Sequence, residues 1–355
     1  MPEDTVGAGQ APPSPSNPNR YSRQTVLPQI GPAGQAKLRS ATAVIAGVGA
    51  LGSSMAEMLA RAGVGTLRLV DRDFLELHNL QRQSLYTEAD VEAALPKAAA
   101  AARHIASINS EVQAEPHVAD ITPENVLDLL QGAAVVLDGT DNLQTRYLLN
   151  DACVKLNIPW IYSGVLGISG VSLAIAPGDT ACLRCVFPDP PPPGSTETCD
   201  VAGVLGPAAH ALSAIACAEA IKLLVGETPT PGMLAADLWY GTWDRFEVPR
   251  RKECPACGLR HFDFLEGDAW GRDAARLCGR DAVQVRLGPV GSTLDLAALA
   301  SRLRYGSFEV LANDYVVRLR TPANELTIFA DTRVIVKGTE DPSVARAVVA
   351  KYVGI

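Results

Sequence analysis

A short apolar run, Thr42-Ala43-Val44-Ile45-Ala46, passes directly into Gly47-Val48-Gly49-Ala50-Leu51-Gly52, the pattern of a buried strand turning into a helix. Met55, Met58 and Leu59 then recur at helical spacing. Gly63 stands where that helix would be capped, and Leu67-Arg68-Leu69-Val70-Asp71 reads as the next strand. A second αβ segment repeats the theme: Ala134-Val135-Val136-Leu137-Asp138 is a buried strand ending in Gly139-Thr140-Asp141-Asn142. A helix is expected from there to about Asn157, and Pro159-Trp160-Ile161-Tyr162 resumes the sheet. Strands alternating with helices in this way predict an α/β fold with a Rossmann-like, mostly parallel sheet.

Two stretches without charge, 156–178 and 201–218, approach the length of a membrane span. The first is broken by Pro159, Gly164, Gly167, Gly170 and Pro177 into two strand-sized pieces; the second carries Gly203, Gly206, Pro207 and His210. Buried strands and a core or interface helix are expected, and no membrane segment. Beyond about residue 261 the pattern changes. A helix is expected over Leu294 to Leu303, then a meander of 315–320, 325–329 and 333–337, and a closing helix over Ser343 to Tyr352, a small α+β domain over 261–355. Residues 1–19, rich in Pro, Gly and Ser and lacking a basic or an apolar region, read as a disordered arm.

The 355 residues are 47% hydrophobic and 20% charged, ordinary for a soluble globular chain of two domains. The formal net charge of −8 offers no general attraction to nucleic acid or to an anionic membrane. Eight cysteines without an evident disulfide scheme suit a reducing, cytoplasmic setting.

Four of those cysteines form two Cys-x-x-Cys pairs, Cys182/Cys185 and Cys254/Cys257, about 70 residues apart. Converging pairs can close a tetrahedral zinc site, and four thiolates leave no open position for catalysis, so a structural ion is expected. The separation exceeds that of a zinc ribbon, and neither pair has the setting of a redox motif. The competing reading is two unrelated pairs of thiols. Cys254-Pro255-Ala256-Cys257-Gly258 has the turn residues of a tight knuckle.

The glycines of 47–52 allow close approach of a phosphate to backbone N–H groups at a helix start, and Asp71, 22 residues after Gly49, is placed to accept ribose hydroxyls. The motif alone fits a nucleotide or a dinucleotide. No G-x-x-x-x-G-K-[ST] sequence occurs, so a common P-loop is excluded. After Asp71-Arg72-Asp73 comes His78-Asn79-Leu80-Gln81-Arg82-Gln83, then Pro96-Lys97 opening an Ala-rich helix. An amide with two cations suits a triphosphate, although either cation alone is more often a solvated surface charge. Asp141, at the C-terminal end of a strand, could ligate Mg²⁺ or could cap the helix beside Asn142.

In their order, Gly47-Val48-Gly49-Ala50-Leu51-Gly52, Asn79-Leu80-Gln81-Arg82-Gln83, Pro96-Lys97, Thr140-Asp141-Asn142 and the four cysteines resemble the MoeB/ThiF family of the ubiquitin-activating enzyme superfamily. Arg20-Tyr21-Ser22-Arg23-Gln24, Thr198-Cys199 and Ala202-Gly203-Val204-Leu205-Gly206-Pro207 extend the likeness over about residues 20–260. The resemblance implies an adenylation domain over 20–260, ATP with Mg²⁺, and a reaction in which the C-terminal glycine of a ubiquitin-like sulfur carrier ending in Gly-Gly becomes an acyl-adenylate. It implies a nucleotide site built from Gly47, Gly49, Ala50, Gly52, Asp71, Asp73, Asn79, Gln81, Arg82, Lys97, Asp141 and Asn142. Asp71 would hold the ribose, Asn79 and Arg82 the phosphates, Lys97 the developing charge, and Asp141 magnesium. Arg23 would reach across a homodimer to the partner's ATP, and Cys199 matches a cysteine that in some relatives links to the carrier or receives sulfur from a separate donor. Two departures stand out: Ala50 replaces a frequent glycine, and Glu92-Ala93-Ala94-Leu95 lacks the usual glycine, so the loop carrying Lys97 is expected to be shaped differently. The only tail cysteine, Cys278, does not match a rhodanese loop, so no built-in sulfurtransferase is expected. A dinucleotide-linked oxidoreductase and a non-catalytic, zinc-stapled nucleotide-binding protein are the alternatives.

Overall fold

The structure, a computed structural model, describes residues 20–192, 199–267, 282–288, 292–306 and 308–354, with the side chains of 199 and 200 outside the description. The arm at 1–19 and Cys278 lie outside the described residues. Eight strands, β1 (Thr42–Ala46), β2 (Thr66–Val70), β3 (Gln113–His117), β4 (Val135–Asp138), β5 (Trp160–Leu166), β6 (Ser169–Ile175), β7 (Met233–Asp237) and β8 (Thr242–Phe246), form one sheet in the order β3-β2-β1-β4-β5-β6-β7-β8. β3 through β5 run parallel. The turns from β5 to β8 are antiparallel, which is why 156–178 splits at Gly167 into two pieces.

Strand alternation divides the core into two layers. Ala43 and Ile45 face the helices Ala50–Ala62, Lys97–Ile108 and Gly206–Val225, whereas Val44 and Ala46 face Val126–Leu130 and Leu143–Leu156. The run of alanines at 98–101 is buried in the first layer and lets the Lys97–Ile108 helix lie close to the sheet. Gly206–Val225 is apolar and long enough to cross a membrane by length and composition alone, yet it packs on Ala50–Ala62, β5 and β6, the place of a core helix. Gly63 ends the Ala50–Ala62 helix in a left-handed cap at φ 81°.

A second sheet, wholly antiparallel, follows: β9 (Ala282–Arg286), β10 (Glu309–Ala312), β11 (Val316–Arg320), β12 (Glu325–Phe329) and β13 (Arg333–Lys337), in the order β10-β11-β12-β13-β9. The helices Leu296–Arg304 and Pro342–Val353 cover one face. The meander and both helices are as expected from the sequence. β9 and β10 are additions: β10 has only four residues, and β9 pairs with β13 across about fifty residues, which no local pattern shows. The other face meets the first domain, where Phe74 packs with Ala282, Val316, Phe329 and Ile335. Fully buried Arg333 donates from Nη2 to the Val118 carbonyl at 3.2 Å across this seam.

Candidate active site and metal centre

β1 lies between β2 and β4, so the chain departs to opposite sides and leaves a crevice beyond the strands' C-terminal ends, where open α/β sheets bind ligands. Gly47 (φ +81°) and Gly52 are required by the crowding of that turn: a Cβ on Gly47 would sit 2.8 Å from the Gly139 carbonyl, and one on Gly52 1.9 Å from the Gly47 oxygen. Gly49 differs. A Cβ there would meet only Gln83 Nε2 at 3.9 Å and Gly139 O at 4.0 Å, so the protein itself leaves this space open. Gly49 is the N-cap of Ala50–Ala62, with no side chain capping the first amides, an arrangement that suits a phosphate. Gln83, 3% exposed, has an Oε1 beside the same space with no hydrogen-bond partner among the described residues. These features fit a bound nucleotide.

Asp71, following β2, ties the turn down. Its Oδ2 accepts from the Val48 amide and its Oδ1 from the Asp73 amide, both at 2.7 Å. Burial pushes its carboxyl above the usual range, against the opposing pull of Lys97. Lys97, only 5% exposed at the start of its helix, holds Asp73 Oδ2 at 3.1 Å, and its amide donates to the Asp73 carbonyl at 2.9 Å. Tyr86 joins the two halves: its hydroxyl lies 2.7 Å from the Val48 carbonyl and 3.2 Å from that of Lys97. Burial raises the phenol's pKa well above its usual value, so the hydroxyl stays a donor even in alkaline solution. No motif in the sequence marks Tyr86.

Asn79 is 2% exposed, and its Oδ1 accepts the Glu76 amide at 3.0 Å, which closes the short turn Leu77–Asn79. Arg82 donates from Nη1 to the His78 carbonyl at 3.0 Å, and Gln81 is exposed. On the β4 side, Asn142 is the helix cap, accepting from the Thr145 amide at 3.2 Å. Asp141, exposed, therefore has no part in capping that helix. Its turn is clamped by a pair that no local motif marks. Asp138, fully buried, accepts from the Thr140 amide (2.9 Å) and hydroxyl (2.7 Å) through Oδ1 and meets Arg146 Nε at 3.0 Å through Oδ2. Arg146 donates to the Thr140 carbonyl at 2.6 Å. Arg72, paired with Asp120 at 3.1 Å, connects the two sides: burial opposes its charge, but Asp120, Asp73 and Asp141 outweigh that and raise its pKa.

The remaining sequence-predicted positions lie apart from these contacts. Arg23 is exposed on the one-turn helix Ser22–Thr25, whose neighbour Gln24 is anchored to Gln35 and to the Ala62 carbonyl. Cys199 opens the short helix Cys199–Ala202, and its side chain is outside the described residues.

On the other side of the sheet, the Sγ atoms of Cys182, Cys185, Cys254 and Cys257 lie within 4.8 Å of one another, all four residues buried. The closest approaches are 3.5 Å for Cys182 and Cys254 and 3.4 Å for Cys185 and Cys257. Tetrahedral Zn–S bonds would set sulfur–sulfur separations of about 3.8 Å, so the cluster fits such an ion with small adjustment. The 254–257 knuckle closes through Gly258 and Leu259 amides donating to the Cys254 carbonyl at 2.9 Å, and a Cβ on Gly258 would lie 2.1 Å from the Lys252 oxygen. The Arg251 amide points at Cys185 Sγ at 3.5 Å. Hydrogen bonds among the thiols lower Cys185 and raise its partner Cys182, whereas burial alone pushes Cys217, outside the cluster, up to about 12.

The chain is similar to several known proteins. A Bacillus subtilis protein described as a sulfur carrier protein ThiS adenylyltransferase is 43% identical over 339 residues, covering 94% of this chain and 99% of that one. A Thermus thermophilus sulfur carrier protein adenylyltransferase is 38% identical over 248 residues, covering 68% and 90%. Among solved structures, that of E. coli MccB matches in fold with a TM-score of 0.60 at 24% identity, over 68% of this chain and 73% of that one. The family model described as ThiF family matches residues 21–256. With the glycine-rich turn, Asp71, Lys97 and the clamped Asp141 turn assembled at one crevice, the chain belongs to the ThiF family.

Proposed function

We propose that this protein uses ATP to adenylate the C-terminal glycine of a ubiquitin-like sulfur-carrier protein ending in Gly-Gly, preparing it to receive sulfur. The observation that carries the reading is the convergence of the open Gly49 turn, Asp71 and the buried Lys97–Asp73 pair on one crevice, in a chain similar along almost its whole length to an adenylyltransferase of such a carrier. The relatives' names favour this over a dinucleotide-linked oxidoreductase, and over nucleotide binding without turnover.

The carrier's terminal carboxylate attacks the α-phosphorus, forming the acyl–phosphate bond, as the bond from that phosphorus to the bridging oxygen breaks and pyrophosphate leaves with the electron pair. The uncapped amides after Gly49 bind phosphate oxygens, and Asp71, whose oxygens each retain a lone pair, accepts from the ribose. Lys97 is held by Asp73 until charge builds on the phosphates, when it stabilises that charge; Asn79, Gln81 and Arg82 line the same side, Asn142 the other. Asp141 would supply an oxygen ligand to magnesium, whose charge would neutralise the phosphates when it is bound. Positioning and electrostatic stabilisation then account for most of the acceleration. We further assign a structural zinc ion to the four cysteines, a homodimer in which Arg23 serves the partner's nucleotide, a separate sulfur donor acting through Cys199 or on the adenylate directly, and a cytoplasmic setting.

The test is carrier-dependent exchange of labelled pyrophosphate into ATP by the purified protein. Arg82→Ala and Asp141→Ala should each lower exchange by about 10²–10³ with metal content and folding retained. Near-normal exchange in both folded variants would overturn the site.

A further inference from the structure

The C-terminal domain touches the first domain at the segment that presents Lys97, and the contact is built around an energetically unfavourable turn. The helix Glu88–Glu92 ends in a Schellman motif: the Ala94 amide donates to the Val91 carbonyl at 3.0 Å and the Leu95 amide to that of Asp90 at 3.1 Å. The left-handed residue that this motif requires, usually glycine, is Ala94, at φ 50°. Three residues later Lys97 begins its helix. Between them, Pro96 bridges Phe74 in antiparallel register, with the Leu75 amide donating to Leu95 O at 3.1 Å and the Lys97 amide to Asp73 O at 2.9 Å. The backbone of 94–97 thus fixes where Lys97 meets Asp73.

The β10–β11 turn reaches onto this backbone through one side chain. Asn313 Oδ1 accepts from the amides of Tyr315 (2.9 Å) and Val316 (3.0 Å), which locks the amide plane. Its Nδ2 then donates to the carbonyls of Ala93 (3.0 Å) and Ala94 (3.3 Å), 220 and 219 residues away. The same sheet grips the opposite strand of the bridge. Arg318 lies 4.6 Å and Lys337 5.2 Å from the centre of the Phe74 ring, and Lys337 pairs with Glu76.

We propose that Asn313 is a positioning residue for the adenylation reaction: by donating to the carbonyls on either side of the strained Ala94 turn, the C-terminal domain holds the backbone that aims Lys97 into the crevice. The proposal rests on the adenylation reading for its kinetic consequence, but its structural consequence stands independently. An alanine in the left-handed region is disfavoured without outside restraint. The role of the domain is therefore to keep the Lys97 loop in its working geometry, where a small displacement is costly to rate.

The experiment compares full-length wild type with Asn313→Ala, Asn313→Asp, Ala94→Gly and the Asn313→Ala/Ala94→Gly double variant. Two readouts are taken: amide hydrogen exchange across residues 88–100, and carrier-dependent pyrophosphate exchange resolved into kcat and KM for ATP. Asn313→Asp keeps the acceptor for the β10–β11 turn and removes the donor, so it isolates the contact at issue. Asn313→Ala and Asn313→Asp should speed amide exchange at 94–97 by about fivefold or more and lower kcat about tenfold to a hundredfold, with KM changed less than kcat. Ala94→Gly should be active, and in its background Asn313→Ala should recover most of the lost kcat, because glycine takes the left-handed conformation unaided. Unchanged amide exchange at 94–97 in both Asn313 variants would overturn the proposal, as would a kcat loss that Ala94→Gly does not relieve. Absence of pyrophosphate exchange in the wild type would instead defeat the adenylation reading, leaving the amide-exchange comparison to decide the role of Asn313.

Discussion

Removing the Asp138 carboxylate should damage the protein more than any exposed site residue would, and the structure indicates by how much. Asp138 is fully buried at the end of β4, with Arg146 Nε 3.0 Å from one oxygen and two Thr140 donors on the other. Asp138→Ala strips both Thr140 bonds and leaves a guanidinium, with 12% of its side chain exposed, facing an uncompensated interior. Breaking such a pair from one side costs about 3–5 kcal/mol. Urea unfolding of the metal-loaded protein at neutral pH should show a loss of that size, and Asp138→Asn, which keeps an acceptor for Thr140, a smaller one. The double variant Asp138→Ala/Arg146→Met should regain much of the stability, since no charge is left stranded. It should not regain carrier-dependent exchange, because the turn bearing Asp141 would still lack its clamp. A loss below about 1 kcal/mol in Asp138→Ala would refute the claim that this pair carries the turn.

Asp151, buried on the Leu143–Leu156 helix, has its carboxyl raised from 3.8 to about 6, chiefly by burial. The folded state then binds the proton more tightly than the unfolded state, so this group's contribution to stability falls as pH rises from about 4 to 6 and stays unfavourable above, by about 3 kcal/mol at most. Asp151→Asn, which keeps an acceptor for the Phe264 amide, should therefore stabilise the protein at pH 8 and not at pH 4; equal effects at both pH values would contradict the assignment. Protein purified without chelator should hold one zinc per chain, and Cys254→Ser should lower both zinc content and the unfolding temperature, with a metal analysis showing none in the wild type as the refuting result. Within structural sites the ion contributes up to about 10–16 kcal/mol in small peptides at neutral pH, an upper guide for a domain with its own core.

What could be read in the sequence was whatever the chain declares locally. The strand–glycine–helix–acid pattern at 42–71 is legible because each of its residues answers to neighbours a few positions away: Gly47 and Gly52 crowd each other's backbone, and Asp71 closes on Val48. The paired cysteines are legible because the Cys-x-x-Cys spacing of each pair is the one that a shared tetrahedral ion would require. The residues that went unread act across the fold. Tyr86 links Val48 to Lys97, Arg146 reaches back to Asp138, and Asn313 crosses 220 positions to Ala93. Such contacts depend on where the topology puts two segments, and no periodicity announces them. Ala94 shows how the two kinds of information meet. A missing glycine was visible as a local irregularity before Lys97, but its consequence was not, since the backbone at φ 50° adopts the left-handed turn that glycine would have taken. The restraint on that turn comes from a second domain, so the local rule was broken in one part of the chain and compensated in another. Departures from a local rule next to a candidate site residue are for that reason a place to look for distant partners.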